Sequence, residues 1–300
     1  MQGGGRQRRT GLWGALAAVL LLVAGPAAAA PQRIVSLDYC TDAELLALAP
    51  TAEIAALSPD ARAPYAFARE RAQALPQHDG SVEAILALRP DLVVGSGPGT
   101  PRLAALLDRF AIPHLELGHA SSLDEARSRF LRLGVHLGRE DTARRLLAAL
   151  DRRLAALRAR VARLETSGPP PRAVYLTPSG VTTGAGTYID EVLRLAGIRN
   201  ALAAEDVHGW TALSVEGLLA HPPDLFVRSF FGSRAGWQEN WRFSRHPATA
   251  ALVAATPAID VPAAHWGCAG IFVVAAIADL VRGRERLAAQ RDALAAAAGQ

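Results

Sequence analysis

The 300-residue chain contains no lysine, so all 32 of its basic residues are arginines. That excludes a phosphate-binding loop built on lysine, and no H-E-x-x-H, G-x-S-x-G or C-x-x-C stretch is present. The remaining residues show no spacing that assembles a nucleophile, a base and a group to orient it. No arginine run with interleaved aromatics occurs after the N-terminus, and Arg6, Arg8 and Arg9 account for most of the +4 net charge. The basic balance therefore argues for no nucleic-acid partner. Beyond residue 30 no apolar stretch reaches the roughly 20 residues needed to span a bilayer, so the mature product is expected to be soluble. Cysteine is scarce, with only Cys40 and Cys268. In an oxidising compartment the two can pair as a disulfide; the alternative is two buried thiols.

Residues 1–30 read as a secretory signal peptide. Arg6–Arg9 is the charged region, Leu12–Ala24 the apolar one, and Ala27–Ala30 the small-residue cleavage zone. The mature chain then starts near Ala30 or Pro31 and works outside the cytoplasm.

What is abundant is an echo. Ser81–Ser96 (SVEAILALRPDLVVGS) returns as Ser214–Ser229 (SVEGLLAHPPDLFVRS), with ten of sixteen positions identical at an offset of 133 residues. Solenoid repeats recur at roughly 20–50 residues, so this longer period points to two similar lobes sharing a helix-turn-strand unit. Arg33–Leu37 (RIVSL) and Arg172–Leu176 (RAVYL) open the two halves as strands. Strands alternating with helices argue a doubly wound parallel sheet in each. Between them Leu147, Leu150, Leu154, Leu157, Val161 and Leu164 form one apolar stripe at helical spacing. A dimer coiled coil would use such a stripe; with lobe-like sequence on both sides, a strut packed along both lobes is preferred. The expected fold is α/β, two doubly wound lobes joined by a long rigid α-helix, with bounds 31–138, 139–168 and 169–300.

Candidate functional residues fall in loops. Tyr39, Trp210, Phe230, Phe231, Trp241 and Trp266 are aromatics off any helical stripe, which suggests a ligand surface; ordinary loop packing is the competing reading. His78, His119, His208 and His265 lie at element ends, where they serve as chance loop residues, as single ligand contacts or as zinc or manganese ligands. His78 and His265 are the ones placed in the ligand site. Gly95–Thr100 (GSGPGT) reads as a turn. Glu83 and Glu216 occupy the same place in the two repeat copies. Each sits in the first turn of a helix, where a carboxylate suits the macrodipole; projecting from both lobes, they would also form a two-pronged contact for a partner carrying arginine.

The two repeat units, together with Asp38–Leu45, resemble the periplasmic substrate-binding proteins of ABC importers for cobalamin, ferric siderophores and haem. The resemblance covers nearly all of the mature chain. It implies a soluble monomer that captures a metal chelate between two lobes, performs no chemistry, holds no resident cofactor, and delivers its cargo to an inner-membrane permease and ATPase complex. In that family the repeated acids dock on permease arginines, a role that falls on Glu83 and Glu216. Trp210 and Trp266 lie near aromatics of cobalamin-binding members. Where those members carry aromatics around the first repeat unit, this chain has Gln77 and Ser96. Arg228, Arg234 or Arg242 would serve an anionic siderophore, and Tyr39 or a loop histidine would serve as axial ligand to haem. A zinc or manganese transporter component and a secreted enzyme using His78, Asp79 or His265 as acid or base are the alternatives.

Overall fold

Along Ile34–Ser36 and Leu92–Gly95 every residue is buried, yet neighbouring residues belong to different cores. Ile34, Leu92 and Val94 join one hydrophobic cluster, and Val35 and Val93 join another. Strands buried on both sides need helices on both sides, and the chain provides them. In the computed structural model, which describes residues 30–97, 99–230 and 246–298, the first lobe runs β1 (Ile34–Ser36), α1 (Tyr39–Leu48), β2 (Ile54–Ala56), α2 (Arg69–Ala72), α3 (Val82–Ala87), β3 (Leu92–Gly95), α4 (Pro101–Arg109), β4 (His114–Glu116) and α5 (Leu123–His136). Its sheet is parallel in the order β2-β1-β3-β4. Helices α1 and α5 cover one face, through Leu45, Leu46, Phe130 and Leu133; α3 and α4 cover the other, through Val82, Ile85, Leu103 and Leu107.

Helix α6 (Glu140–Glu165) leads to the second lobe: β5 (Arg172–Leu176), β6 (Val181–Thr183), α7 (Tyr188–Leu195), β7 (Arg199–Asn200), β8 (Trp210–Ala212), α8 (Val215–Ala220), β9 (Leu225–Arg228), α9 (Pro247–Ala255), β10 (Ala258–Asp260) and α10 (Val274–Ala298). The main sheet is again parallel, in the order β10-β9-β5-β7. Read from β7, this is the order of the first lobe.

The repeat explains the match. Helices α3 and α8, and strands β3 and β9, begin and end at positions that correspond at the repeat offset. Ser81 Oγ accepts from the Ala84 amide at 3.1 Å and Ser214 Oγ from the Gly217 amide at 2.9 Å, so each serine caps its helix. The Pro-Asp corner reaches further. The Asp91 carboxylate accepts from the amides of Gln32 and Arg33 at 2.8 and 2.9 Å, and that of Asp224 from the Arg172 amide at 2.8 Å. Each aspartate thereby secures the start of the neighbouring central strand.

The stripe on α6 faces both lobes. Leu150, Leu154, Leu157 and Val161 are buried in the same cluster that takes in Phe130 of α5 and Ile277, Leu280 and Val281 of α10. Each such side chain is worth about 2 kcal/mol over exposure. At about 1.5 Å per residue the 26-residue helix spans about 39 Å. Charged forks brace it on both sides: Arg127 of α5 donates to Asp151 at 2.5 and 3.0 Å, and Arg160 donates to Glu285 of α10 at 2.9 and 2.5 Å. Gly134 lets α5 and α6 touch, since a Cβ there would lie 2.6 Å from that of Ala143. Gly197 ends α7 at φ +68°, where a Cβ would meet Arg284 and Val161. One continuous core across both lobes resists wide hinge bending.

Helix α2 is confined to Arg69–Ala72. Tyr65 donates to Asp60 at 3.0 Å and Phe67 stacks on Phe272 at 4.6 Å, and these contacts draw the preceding residues out of helical register. The His208–Thr211 loop instead enters a two-stranded antiparallel ribbon, with Trp210 opposite Thr183.

Candidate functional site

Both main sheets place β1 and β5 between a strand that follows in sequence and one that comes later, and ligands of open α/β sheets bind at such switch points. A cavity of about 640 Å³ opens there, between the lobes. From the first lobe it is lined by Leu37–Cys40 at the end of β1, by Ser96, Gly97 and Gly99 after β3, by His119–Ser121 after β4, and by Arg129. From the second it is lined by Gly186–Tyr188, Gly209, Trp210 and Gly267–Ala269.

A strap crosses the floor. Cys268 is disulfide-bonded to Cys40, with Cα atoms 5.4 Å apart. The Tyr39 hydroxyl donates to the Gly267 carbonyl at 3.0 Å and the Tyr188 hydroxyl to the Trp266 carbonyl at 2.7 Å. Two tyrosines from opposite lobes thus hold consecutive residues of one segment. Burial raises the pKa of both hydroxyls, with the charge of Asp38 adding to the effect at Tyr39, so they remain protonated donors.

The lining carries little free charge. Asp38 caps α1, accepting from the amides of Cys40 and Thr41 and the Thr41 hydroxyl. It also accepts from the Ser96 amide at 2.6 Å and the Ser96 hydroxyl at 2.9 Å, which ties α1 to the end of β3. Arg129 is buried and donates to Glu44 at 2.5 Å and to the Gly118 carbonyl at 2.9 Å. The exposed surface is Trp210, backbone, and the side chains of His119 and Ser121. Trp210 is 50 % exposed, with its ring 5.9 Å from that of Tyr188 and 6.3 Å from that of Tyr175. A Cβ on Gly97, Gly186 or Gly209 would meet no protein atom within 4 Å. These turns therefore leave room for a large flat ligand to approach the main chain.

Of the residues expected to form the site, Tyr39 and Trp210 line this cavity and the others described do not. Trp266 is 1 % exposed; its ring packs edge-on to Tyr175 at 5.1 Å and its Nε1 donates to Ser229 at 2.7 Å, so it supports the floor from beneath. His78 is buried, with Nε2 2.8 Å from the Ser36 carbonyl and Nδ1 accepting from the Gly80 amide. His265 pairs with Asp279 at 2.5 Å behind the strap. Phe230 does not line the cavity. Phe231, Trp241, Arg234 and Arg242 lie outside the described residues. Arg228 forks onto Asp260 at 2.8 and 2.7 Å and is not held out for an anion. Among the described residues no three His, Cys, Asp or Glu side chains cluster as a metal cage. Sequence reasoning passed over Tyr188, Thr187 and the glycine turns. Tyr188 follows a capping threonine and looks in sequence like any first helical residue.

Glu83 and Glu216 are exposed in the first turns of α3 and α8. Both helices start at the cleft end of their sheets, as crossover helices between parallel strands do. Glu83 accepts from Arg102 at 2.6 Å, an open pair with side chains 68 and 70 % exposed. Glu216 has no ion-pair partner among the described residues.

Known proteins share this fold. A cobalamin-binding protein of Halobacterium salinarum is 26 % identical over 155 residues, which are 51 % of this chain and 42 % of that protein. A periplasmic heme-binding protein from Pseudomonas aeruginosa superposes with a TM-score of 0.68 at 25 % identity, over 84 % of this chain and 91 % of that one. The periplasmic vitamin B12 binding protein of Vibrio cholerae does so with a TM-score of 0.62 at 21 % identity, over 85 and 97 % of the two chains. The family profile described as periplasmic binding protein matches residues 34–250, and the chain belongs to that family.

Proposed function

We propose that this protein is exported by its N-terminal segment to the periplasm, captures a metal chelate in the interlobe cavity, and delivers it to an ABC permease and ATPase complex. The observation that carries the reading is the cavity itself. It is open to both lobes, faced by Trp210 and bare glycine turns, and Asp38, Tyr39, Arg129 and Tyr188 in its lining are all hydrogen-bonded within the protein. Aromatic faces and main-chain contacts suit a large ligand of low charge, such as a corrinoid, a porphyrin or a neutral ferric siderophore. A trianionic ferric catecholate finds no uncommitted arginine among the described lining residues. Glu83 and Glu216 are the docking points, one on each lobe, for arginines of the permease. No resident cofactor takes part; the chelate is cargo.

Titrating the intrinsic tryptophan fluorescence with cobalamin, ferric protoporphyrin, a ferric trihydroxamate and a ferric catecholate tests the reading. Saturable quenching by at least one of the first three, weakened in Trp210→Ala, is expected. Binding of the catecholate alone contradicts the electrostatic argument.

A further inference from the structure

The two cysteines of the chain meet on the cleft floor, where they join the first lobe to the strap. Both line the cavity and both are half-buried. Thr41, beside Cys40, is buried, and so are Trp266 and Gly270, two residues to either side of Cys268. The cleft is therefore the open approach to the sulfurs. Disulfides that a thiol can reach are the ones that exchange, while packed ones stay inert.

The two ends of the bond are held unequally. Cys40 is the second residue of α1, and the Asp38 carboxylate accepts from its amide at 3.1 Å and from that of Thr41 at 2.9 Å. Cys268 lies in an irregular stretch between Trp266 and Ile271. Among the described residues, the first lobe supports that stretch by one hydrogen bond besides the disulfide, from the Tyr39 hydroxyl to the Gly267 carbonyl at 3.0 Å. Breaking the S–S bond leaves Cys40 in place and loosens the strap. The strap carries Gly267, Cys268 and Ala269 of the cavity lining, so the loosened part is ligand surface.

We propose that the Cys40–Cys268 bond is a thiol–disulfide exchange site, reached by a dithiol reductant through the empty cleft and covered by bound cargo, and that its reduction weakens capture. The inference rests on the chelate-capture reading and adds a control by redox state. A thiolate of the dithiol attacks one sulfur of the pair. The S–S bond breaks, and the other sulfur leaves as a thiolate that takes a proton from water. The second thiol of the reductant resolves the mixed disulfide, so two electrons pass to the protein and the dithiol leaves as its own cyclic disulfide. A loosened floor must be ordered again when cargo binds, which costs affinity. By linkage, bound cargo opposes reduction by the same factor.

The test uses the full chain, dithiothreitol, and probes chosen to resist reduction by thiols: cyanocobalamin, gallium protoporphyrin and a gallium trihydroxamate. Free cysteines are trapped by alkylation and counted by mass, Kd is measured by equilibrium dialysis, and circular dichroism follows the fold. In the empty protein both cysteines are expected to become alkylated with the circular dichroism unchanged. A probe that binds, held at about ten times its Kd, slows this about tenfold, because about one cleft in eleven is then empty. Its Kd rises about tenfold on reduction, the cost of ordering about one strap residue again. The rise is the same in the double variant Cys40→Ser, Cys268→Ser, and reoxidation of the wild type reverses it. Three results overturn the exchange site while leaving capture standing: reduction only with loss of the fold, equal reduction rates with and without a bound probe, or equal Kd for oxidised and reduced protein. Failure of the oxidised protein to bind any of the three probes overturns the capture reading and the inference with it.

Discussion

The disulfide across the cleft floor is the part of the structure whose removal has the most calculable effect. Cys40 and Cys268 are separated by 228 residues. In the loop-entropy treatment, closing a loop of that length removes about 18 cal/mol/K from the unfolded chain, or about 5 kcal/mol at 25 °C. For a protein of this size the unfolding entropy makes that about 10 °C in Tm. The double substitution Cys40→Ser, Cys268→Ser is accordingly expected to lower Tm by about that amount in calorimetry, and reducing the wild type to produce the same change. Because one hydrophobic cluster runs through α6 and both lobes, the variant is also expected to unfold in a single transition. Equal Tm values for oxidised, reduced and substituted protein would refute the tether. Two separated transitions in the variant would refute the shared core.

Other outcomes follow from particular contacts. Asp42 is buried against Ser58, and burial raises its pKa to about 6 from 3.8. The folded state thus prefers the protonated carboxyl, and the stability this contributes is present below pH 3.8 and lost as pH rises through 6. Relative to Asp42→Asn, the wild type should lose about 2 kcal/mol between pH 4.5 and 7.5 in denaturant unfolding; a constant difference would remove that claim. Glu83→Ala combined with Glu216→Ala should leave chelate binding unchanged and abolish uptake by the permease complex in vesicles, and undiminished uptake would sink the docking role. Arg102→Ala frees Glu83 from an exposed pair worth about 1 kcal/mol at most, so docking should tighten by no more than about fivefold; weaker docking would show that Arg102 itself contacts the partner. Trp210→Ala should weaken chelate binding by about 2 kcal/mol, roughly thirtyfold, in a tryptophan-independent assay such as calorimetry.

Much of the fold was legible because it is written locally and written twice. The serine cap, the helix of α3 or α8, the Pro-Asp corner and the following strand all lie within sixteen residues, and both copies fold alike. What Asp91 and Asp224 do was not legible, since they bind strand starts 58 and 52 residues away. The site shows the same divide. Trp210, exposed at the start of β8, reads in sequence as a ligand surface; Trp266 has the same local signature, yet Ser229 and Tyr175 bury it. His78 and His119 both sit in loops at element ends. The distant Ser36 carbonyl and the nearby Gly80 amide hold His78, while His119 is exposed to the cavity. The pairing of Cys40 with Cys268 depends on two lobes meeting, which no stretch of sequence displays.

The central claim is that the cleft holds a chelate and returns it unaltered. Equilibrium dialysis of the purified protein against cobalamin, ferric protoporphyrin and a ferric trihydroxamate, with the ligand recovered and its spectrum and mass measured, tests this most directly. The account predicts one saturable site for at least one of them, a bound chelate recovered intact, and no loss on prolonged incubation. Failure of all three to bind, or recovery of a chemically changed product, would contradict it.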